Sequence, residues 1–233
     1  MKYVQDIKKR IIKQFDENLH SIYIYGSVLD SQDSKNKDIN ILILLRKNKF
    51  EEIKKAGKFF KRWKKILKTT PLIFDLNYIK SSLDVFPIEF NDIKRKHKTI
   101  YGEDYFENLE IDNKNLRLQC EQEIKGNLVH LESTFMLNYN NHKNLLNVML
   151  EGISSYAAIF RNLLLLLNKE IKSWEKNITN IADILDFDPS PFIELYEIKQ
   201  NEKKLDKNEV LSIYQNFFKE ANKLADSVDK LKV

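Results

Sequence analysis

Ile22-Tyr23-Ile24-Tyr25-Gly26-Ser27 and, ten residues later, Asp38-Ile39-Asn40 running into Ile41-Leu42-Ile43-Leu44-Leu45 are the stretches on which the fold turns. Both apolar runs are rich in β-branched and aromatic side chains, the composition of half-buried or fully buried strands. Gly-Ser closes the first run and Asp-x-Asn opens the second, so the polar groups stand at strand ends, where ligands are held. A third piece, Ile88-Glu89-Phe90, lies in an apolar run that reads as a further strand over 85–90 and would carry Glu89.

Outward from these strands, residues 3–19 place Val4, Ile7, Ile11, Ile12 and Phe15 at the spacing of a helix with one buried face. Residues 30–37 hold no apolar side chain and read as a loop or a frayed short helix. From 50 to 67, Ile53, Ala56, Phe60, Trp63 and Leu67 mark a second amphipathic helix whose other face is lysine. Residues 46–68 contain eleven Lys or Arg against Glu51 and Glu52, a local balance of +9 in a chain of net +5. Residues 71–76 read as another strand, Lys94-Arg95-Lys96-His97-Lys98 is a second basic cluster, and Thr99-Ile100-Tyr101 before Gly102 reads as a short edge strand.

Beyond Gly102 the pattern becomes helical throughout. Leu116, Cys120, Ile124, Leu128, Leu131 and Phe135 form one seam, and Leu145, Val148, Met149, Ile153, Tyr156, Phe160, Leu163 and Leu167 form a second. Joined by Asn138-Tyr139-Asn140-Asn141, they predict a helical hairpin that packs on further helices over 174–185, 191–198 and 208–231. The fold class expected is therefore α+β followed by α: a mixed sheet with flanking helices over 1–108, then a bundle of four or five helices over 109–233.

At 233 residues the chain is long enough to bury a sizeable core. Its one cysteine, Cys120, forms no internal disulfide, and no secretion signal opens the chain, so a cytoplasmic setting is the expectation. The run 163–167, interrupted upstream by Arg161 and Asn162, falls short of the roughly 20 residues of a membrane span, and no membrane partner is expected. The sequence pI of about 9.0 points toward nucleic acid. Lysine, asparagine and isoleucine are abundant throughout, however, so the basic helix is read first as a solvated face and nucleic acid as the less favoured partner.

Transfer of a nucleotidyl group needs an anchor for a polyanion and cations that neutralise charge as pyrophosphate leaves. Glycine lets the backbone approach phosphate closely, and the amides and hydroxyl of Gly26-Ser27 can donate to it. Asp38 and Asn40, at i and i+2 on one strand, share a face and suit hard cations that take oxygen ligands. A third carboxylate on a neighbouring strand would complete the set and accept the proton of an attacking hydroxyl. Spacing alone permits either Glu89 or Asp75, in Phe74-Asp75-Leu76.

Glycine-serine after a strand, Asp-x-Asn between apolar residues and then apolar-Glu-apolar resemble the nucleotidyltransferase superfamily with its polymerase-beta-like fold, which includes aminoglycoside nucleotidyltransferases and small adenylylating antitoxins. The run 84–90, Asp-Val-Phe-Pro-Ile-Glu-Phe, with Tyr101-Gly102-Glu103-Asp104, also looks like bacterial two-domain members carrying a C-terminal helical bundle. The resemblance implies a nucleoside triphosphate held at Gly26 and Ser27 and Mg²⁺ (or Mn²⁺) at Asp38, Asn40 and Glu89. It makes Asp38 and Glu89 the catalytic acids and favours Glu89 over Asp75. The acceptor would be a hydroxyl of a small molecule or protein held between the domains. Asn40 departs from the superfamily's second acid: a neutral amide there keeps an oxygen ligand and removes one negative charge. The alternative that follows is a weakened or inactive member that senses nucleotide or binds protein.

Overall fold

The structure is a computed structural model describing residues 2–29, 39–61, 63, 67, 69–201 and 205–233, without the side chains of residues 2, 3 and 27. The polar stretch predicted as a loop over 30–37, and Asp38 with it, lies outside the described residues. The chain divides into two units, Met1–Ile111 and Asp112–Val233.

In the first unit, helix α1 (Lys2–Phe15) leads through a 3₁₀ turn into strand β1 (Leu19–Tyr25). Strand β2 (Asn40–Leu45), helix α2 (Phe50–Phe60) and strand β3 (Leu72–Asp75) follow, then helices α3 (Leu76–Ser81) and α4 (Pro87–Arg95) and strand β4 (His97–Gly102). The sheet order is β3-β2-β1-β4. β1 pairs antiparallel with β2 and β4, while β2 and β3, linked through α2, run parallel. A parallel pair needs such a long crossover, whereas antiparallel neighbours do not.

Side-chain alternation splits the sheet into two apolar faces. Ile22, Ile41, Ile43 and Leu45 face Ile7, Ile11 and Phe15 of α1 and Ala56 of α2. Tyr23, Leu42 and Leu44 face Ile79 of α3, Phe90 and Ile93 of α4, and Phe106 and Leu109 of the segment that follows β4. Both central strands are therefore covered on both sides, which is why they read as continuous apolar runs. Each such buried side chain contributes about 1.5–3 kcal/mol relative to exposure.

One expectation is corrected here. The run 85–90 is not a strand: Pro87 is the first residue of α4, and Glu89 lies in that helix's first turn. Proline fits the first helical position because its missing N–H would have had no intrahelical partner there, and its fixed φ suits the helix. Glu89 near the N-terminus and Lys94 and Arg95 in the last turn match the helix dipole. Phe90 and Ile93, three apart, then bury one face.

The second unit comprises, among the described residues, the hairpin α5 (Asn113–Asn138) and α6 (His142–Leu166), then α7 (Trp174–Leu185), α8 (Ser190–Asn201) and α9 (Lys207–Asp229). Helix α6 is long and apolar enough to cross a membrane by length and composition alone. Its Leu145, Met149, Ile153, Tyr156, Phe160 and Leu163 are buried, and it packs on α5, α7, α8 and α9 as the central helix of the bundle. Tyr156, Phe160, Phe192 and Phe217 interlock edge to face there, with ring centroids 4.9–5.6 Å apart for the pairs through Phe192. Cys120 is fully buried, as its place on the α5 seam predicts.

Candidate functional site

Antiparallel pairing of β1 with β2 sets Tyr25 opposite Asn40, so Gly26 leaves one strand beside the residue that opens the next. Gly26 adopts φ +83°, in the left-handed region, and a Cβ placed on it would lie 3.0 Å from Asn40 Nδ2. The glycine is needed for the turn, and a Cβ there would also press on the end of the Asn40 side chain. Its N–H donates to the Lys96 carbonyl (3.2 Å), tying the turn to the end of α4, and its carbonyl accepts from Leu29 N–H (3.1 Å) within the 3₁₀ turn Ser27–Leu29. Gly26 and Asn40, fourteen residues apart in sequence, thus lie at one polar edge of the sheet.

The two candidates for the third acid separate clearly. Asp75 pairs with Leu45, at the far end of β2 from Asn40, about 17 Å away at strand rise. Its carboxylate is occupied, accepting from Tyr78 N–H (2.8 Å) as the cap of α3 and from Asn48 N–H (2.9 Å). It is a structural cap. Glu89 is exposed on the first turn of α4, while the carbonyl bonded to Gly26 belongs to Lys96, about 10 Å further along at helical rise. Beside the start of β2, Thr69 Oγ1 donates to the Ile39 carbonyl (3.1 Å).

A feature the sequence reading assigned no role borders this edge. His97 opens β4 opposite Tyr25. Its Nε2 faces the Asp104 carboxylate at 2.8 and 3.0 Å, and its Nδ1 faces the carbonyls of Ile93 (2.8 Å) and Lys94 (3.1 Å). Every partner is an acceptor, so the ring N–H groups hold the start of β4 against the end of α4 and the segment after β4. Asp104 also accepts from Phe106 N–H (3.0 Å) and Glu107 N–H (3.2 Å). Burial works against its charge, but the bonds to His97, the His97 charge, Thr99 and the Phe106 amide outweigh burial and hold its carboxyl below the ordinary range.

Fully buried Tyr23 completes the clamp: its hydroxyl donates to the Glu103 carbonyl (2.9 Å) and accepts from Tyr105 N–H (3.0 Å). Burial pushes its phenol up, as it does that of Tyr25. Lys94, in the second basic cluster, donates from its ammonium to the Leu109 carbonyl (2.6 Å). Among the described residues no cluster of three or more His, Cys, Asp or Glu is placed to hold a metal ion.

A mixed four-stranded sheet of this order with flanking helices, followed by a helical region, matches a nucleotidyltransferase-like fold. The comparison that carries this assignment is with the crystal structure of spectinomycin adenyltransferase AAD(9) from Enterococcus faecialis with ATP and spectinomycin: 13% identity over 97% of this chain and 98% of that one, TM-score 0.55. At that identity the likeness is one of fold. Two mutant structures of the toxin–antitoxin pair MntA–HpeT match 42% of the chain at 14% and 17% identity, covering 73% and 72% of their own chains, with TM-scores of 0.30 and 0.29 that are too low to bear on the whole fold. No protein-family model and no curated protein matches the sequence.

Proposed function

We propose that the first unit binds a nucleoside triphosphate with Mg²⁺ (or Mn²⁺) at the Gly26–Asn40 edge and passes nucleoside monophosphate to a hydroxyl acceptor only slowly. The observation that carries this reading is the closeness of the Gly26 turn to the Asn40 amide, which a Cβ at Gly26 would meet at 3.0 Å, setting a glycine turn able to admit phosphate next to the strand start that offers an oxygen ligand. Gly26 and Ser27 would hold the triphosphate, and Asp38 and Asn40 would supply oxygen ligands to its cation.

The residues fit a cation in part. Asp38 would bring one carboxylate and Asn40 one neutral oxygen, while Glu89 sits on an exposed helical turn. That set suits one hard cation arriving with the triphosphate better than a pair fixed by the protein. A bound cation there offsets charge on the phosphates. If no third carboxylate acts as base, deprotonation of the acceptor hydroxyl would lose general-base help worth roughly 10²–10⁴-fold. Glu89 as a catalytic acid would have to act from α4. A nucleotide-sensing module without turnover is the second reading, favoured by the same Asn40.

The test is label transfer and pyrophosphate release from each α-labelled nucleoside triphosphate with Mg²⁺ or Mn²⁺. Spectinomycin is the first acceptor, after the ligand of AAD(9), followed by proteins and RNA. Asp38→Ala should abolish metal-dependent binding and any transfer. Asn40→Asp should tighten metal-dependent nucleotide binding about tenfold, one added charge beside a divalent cation being worth more than 1 kcal/mol even when well screened. Fast wild-type turnover would overturn the attenuation, and no nucleotide binding by any variant would overturn the site.

A further inference from the structure

We propose that a groove between α1 and α2, on the opposite side of the sheet from Asn40, binds single-stranded nucleic acid. The groove has a volume of about 490 Å³, and its walls are Arg10 and Lys13 of α1, Lys55, Lys58 and Phe59 of α2, and Trp63. Four cations thus surround two aromatic rings. Arg10 pairs with Asp6 (3.4 Å) and Lys55 with Glu52 (3.0 Å), whereas Lys13 and Lys58 have no ion-pair partner among the described residues.

The basic helix alone is explained by solvation, but the groove adds what a solvated face does not need. Phe59 and Trp63 lie with centroids 6.4 Å apart at a 37° tilt, and the Arg10 guanidinium sits 5.7 Å over the indole. Bases stack on aromatic faces and on guanidinium planes while cations track the phosphates. An acidic peptide would use the cations and leave the rings idle, so the rings favour nucleic acid.

The groove is also separate from the nucleotide edge. Phe59 and Trp63 pack with Ile41 and Ile43 on one face of the sheet, whereas Asn40 has the parity of Leu42 and Leu44, which face the other. A strand bound here leaves the Gly26–Asn40 edge open, and the inference does not depend on what that edge binds.

The experiment is fluorescence anisotropy with labelled single-stranded RNA and DNA of about 12 nucleotides. With about four phosphates neutralised, affinity should fall about fifty-fold between roughly 50 and 200 mM salt. The double charge reversal Lys13→Glu with Lys58→Glu should weaken binding more than tenfold, and the milder Lys13→Gln with Lys58→Gln should weaken it by less, in the same direction. Trp174→Phe, which removes an indole N–H buried without a partner among the described residues, leaves Trp63 as the sole tryptophan. Its emission should then be quenched by the oligonucleotide. Saturating ATP with Mg²⁺ should leave anisotropy unchanged. No binding at low salt, equal binding and no quench with polyglutamate, indifference to both lysine pairs, or displacement by ATP would each overturn the proposal.

Discussion

Gly26 and Gly102 both take positive φ, but what surrounds them differs. A Cβ on Gly26 meets the end of the Asn40 side chain at 3.0 Å, whereas one on Gly102 would lie 2.0 Å from the His20 carbonyl oxygen, which is backbone. Gly26→Ala should therefore cost about 1–3 kcal/mol, chiefly conformational strain, and Gly102→Ala should cost clearly more, read as the difference in denaturant midpoints. Asp104 sets the pH behaviour of the same region. Its carboxyl is held below the ordinary range, so its contribution is complete above the unfolded value of about 3.9 and is lost as pH falls through the lower folded value. Melting temperatures of the wild type should drop through that acid window, and Asp104→Asn should be less stable at neutral pH and flatter in acid; an unchanged acid slope would contradict this. The Gly26–Asn40 neighbourhood was legible because a turn glycine and a polar residue bracket two strong strand patterns. The His97–Asp104 pair was not, because seven residues and a change of chain direction separate them, and neither residue belongs to a periodic pattern.

At the scale of elements, the reading of residues 85–90 failed where short apolar runs always leave ambiguity. Val85, Ile88 and Phe90 are compatible with a strand, and only Pro87 and the sign of the flanking charges argue for the helix that forms. The strands β1 and β2 carried no such ambiguity, being rich in β-branched residues and buried on both faces. The consequence for the site is specific. Glu89→Gln should leave nucleotide binding unchanged, measured by titration calorimetry, while Asp75→Ala should destabilise the fold by about 1–2 kcal/mol through the lost helix cap without touching binding. A large loss of nucleotide binding in Glu89→Gln would return that residue to the site.

Across the whole molecule, the break from alternating elements to helices alone was visible in the hydrophobic periods, and the chain divides into its two units between Ile111 and Asp112. The parallel β2–β3 pairing was not visible, because strand order follows from how α2 and the sheet pack rather than from any local residue. The acceptor is equally illegible, since it depends on surfaces that no motif encodes. What the account commits to is nucleotide held at the Gly26–Asn40 edge. The most direct measurement is calorimetric titration of ATP, GTP, CTP and UTP with and without Mg²⁺ into the wild type, Asn40→Asp and Gly26→Val, with circular dichroism as the folding control. The account predicts metal-dependent binding of at least one triphosphate, tightened by Asn40→Asp and lost in folded Gly26→Val. Absence of binding in both the wild type and Asn40→Asp, or binding indifferent to both substitutions, would contradict it.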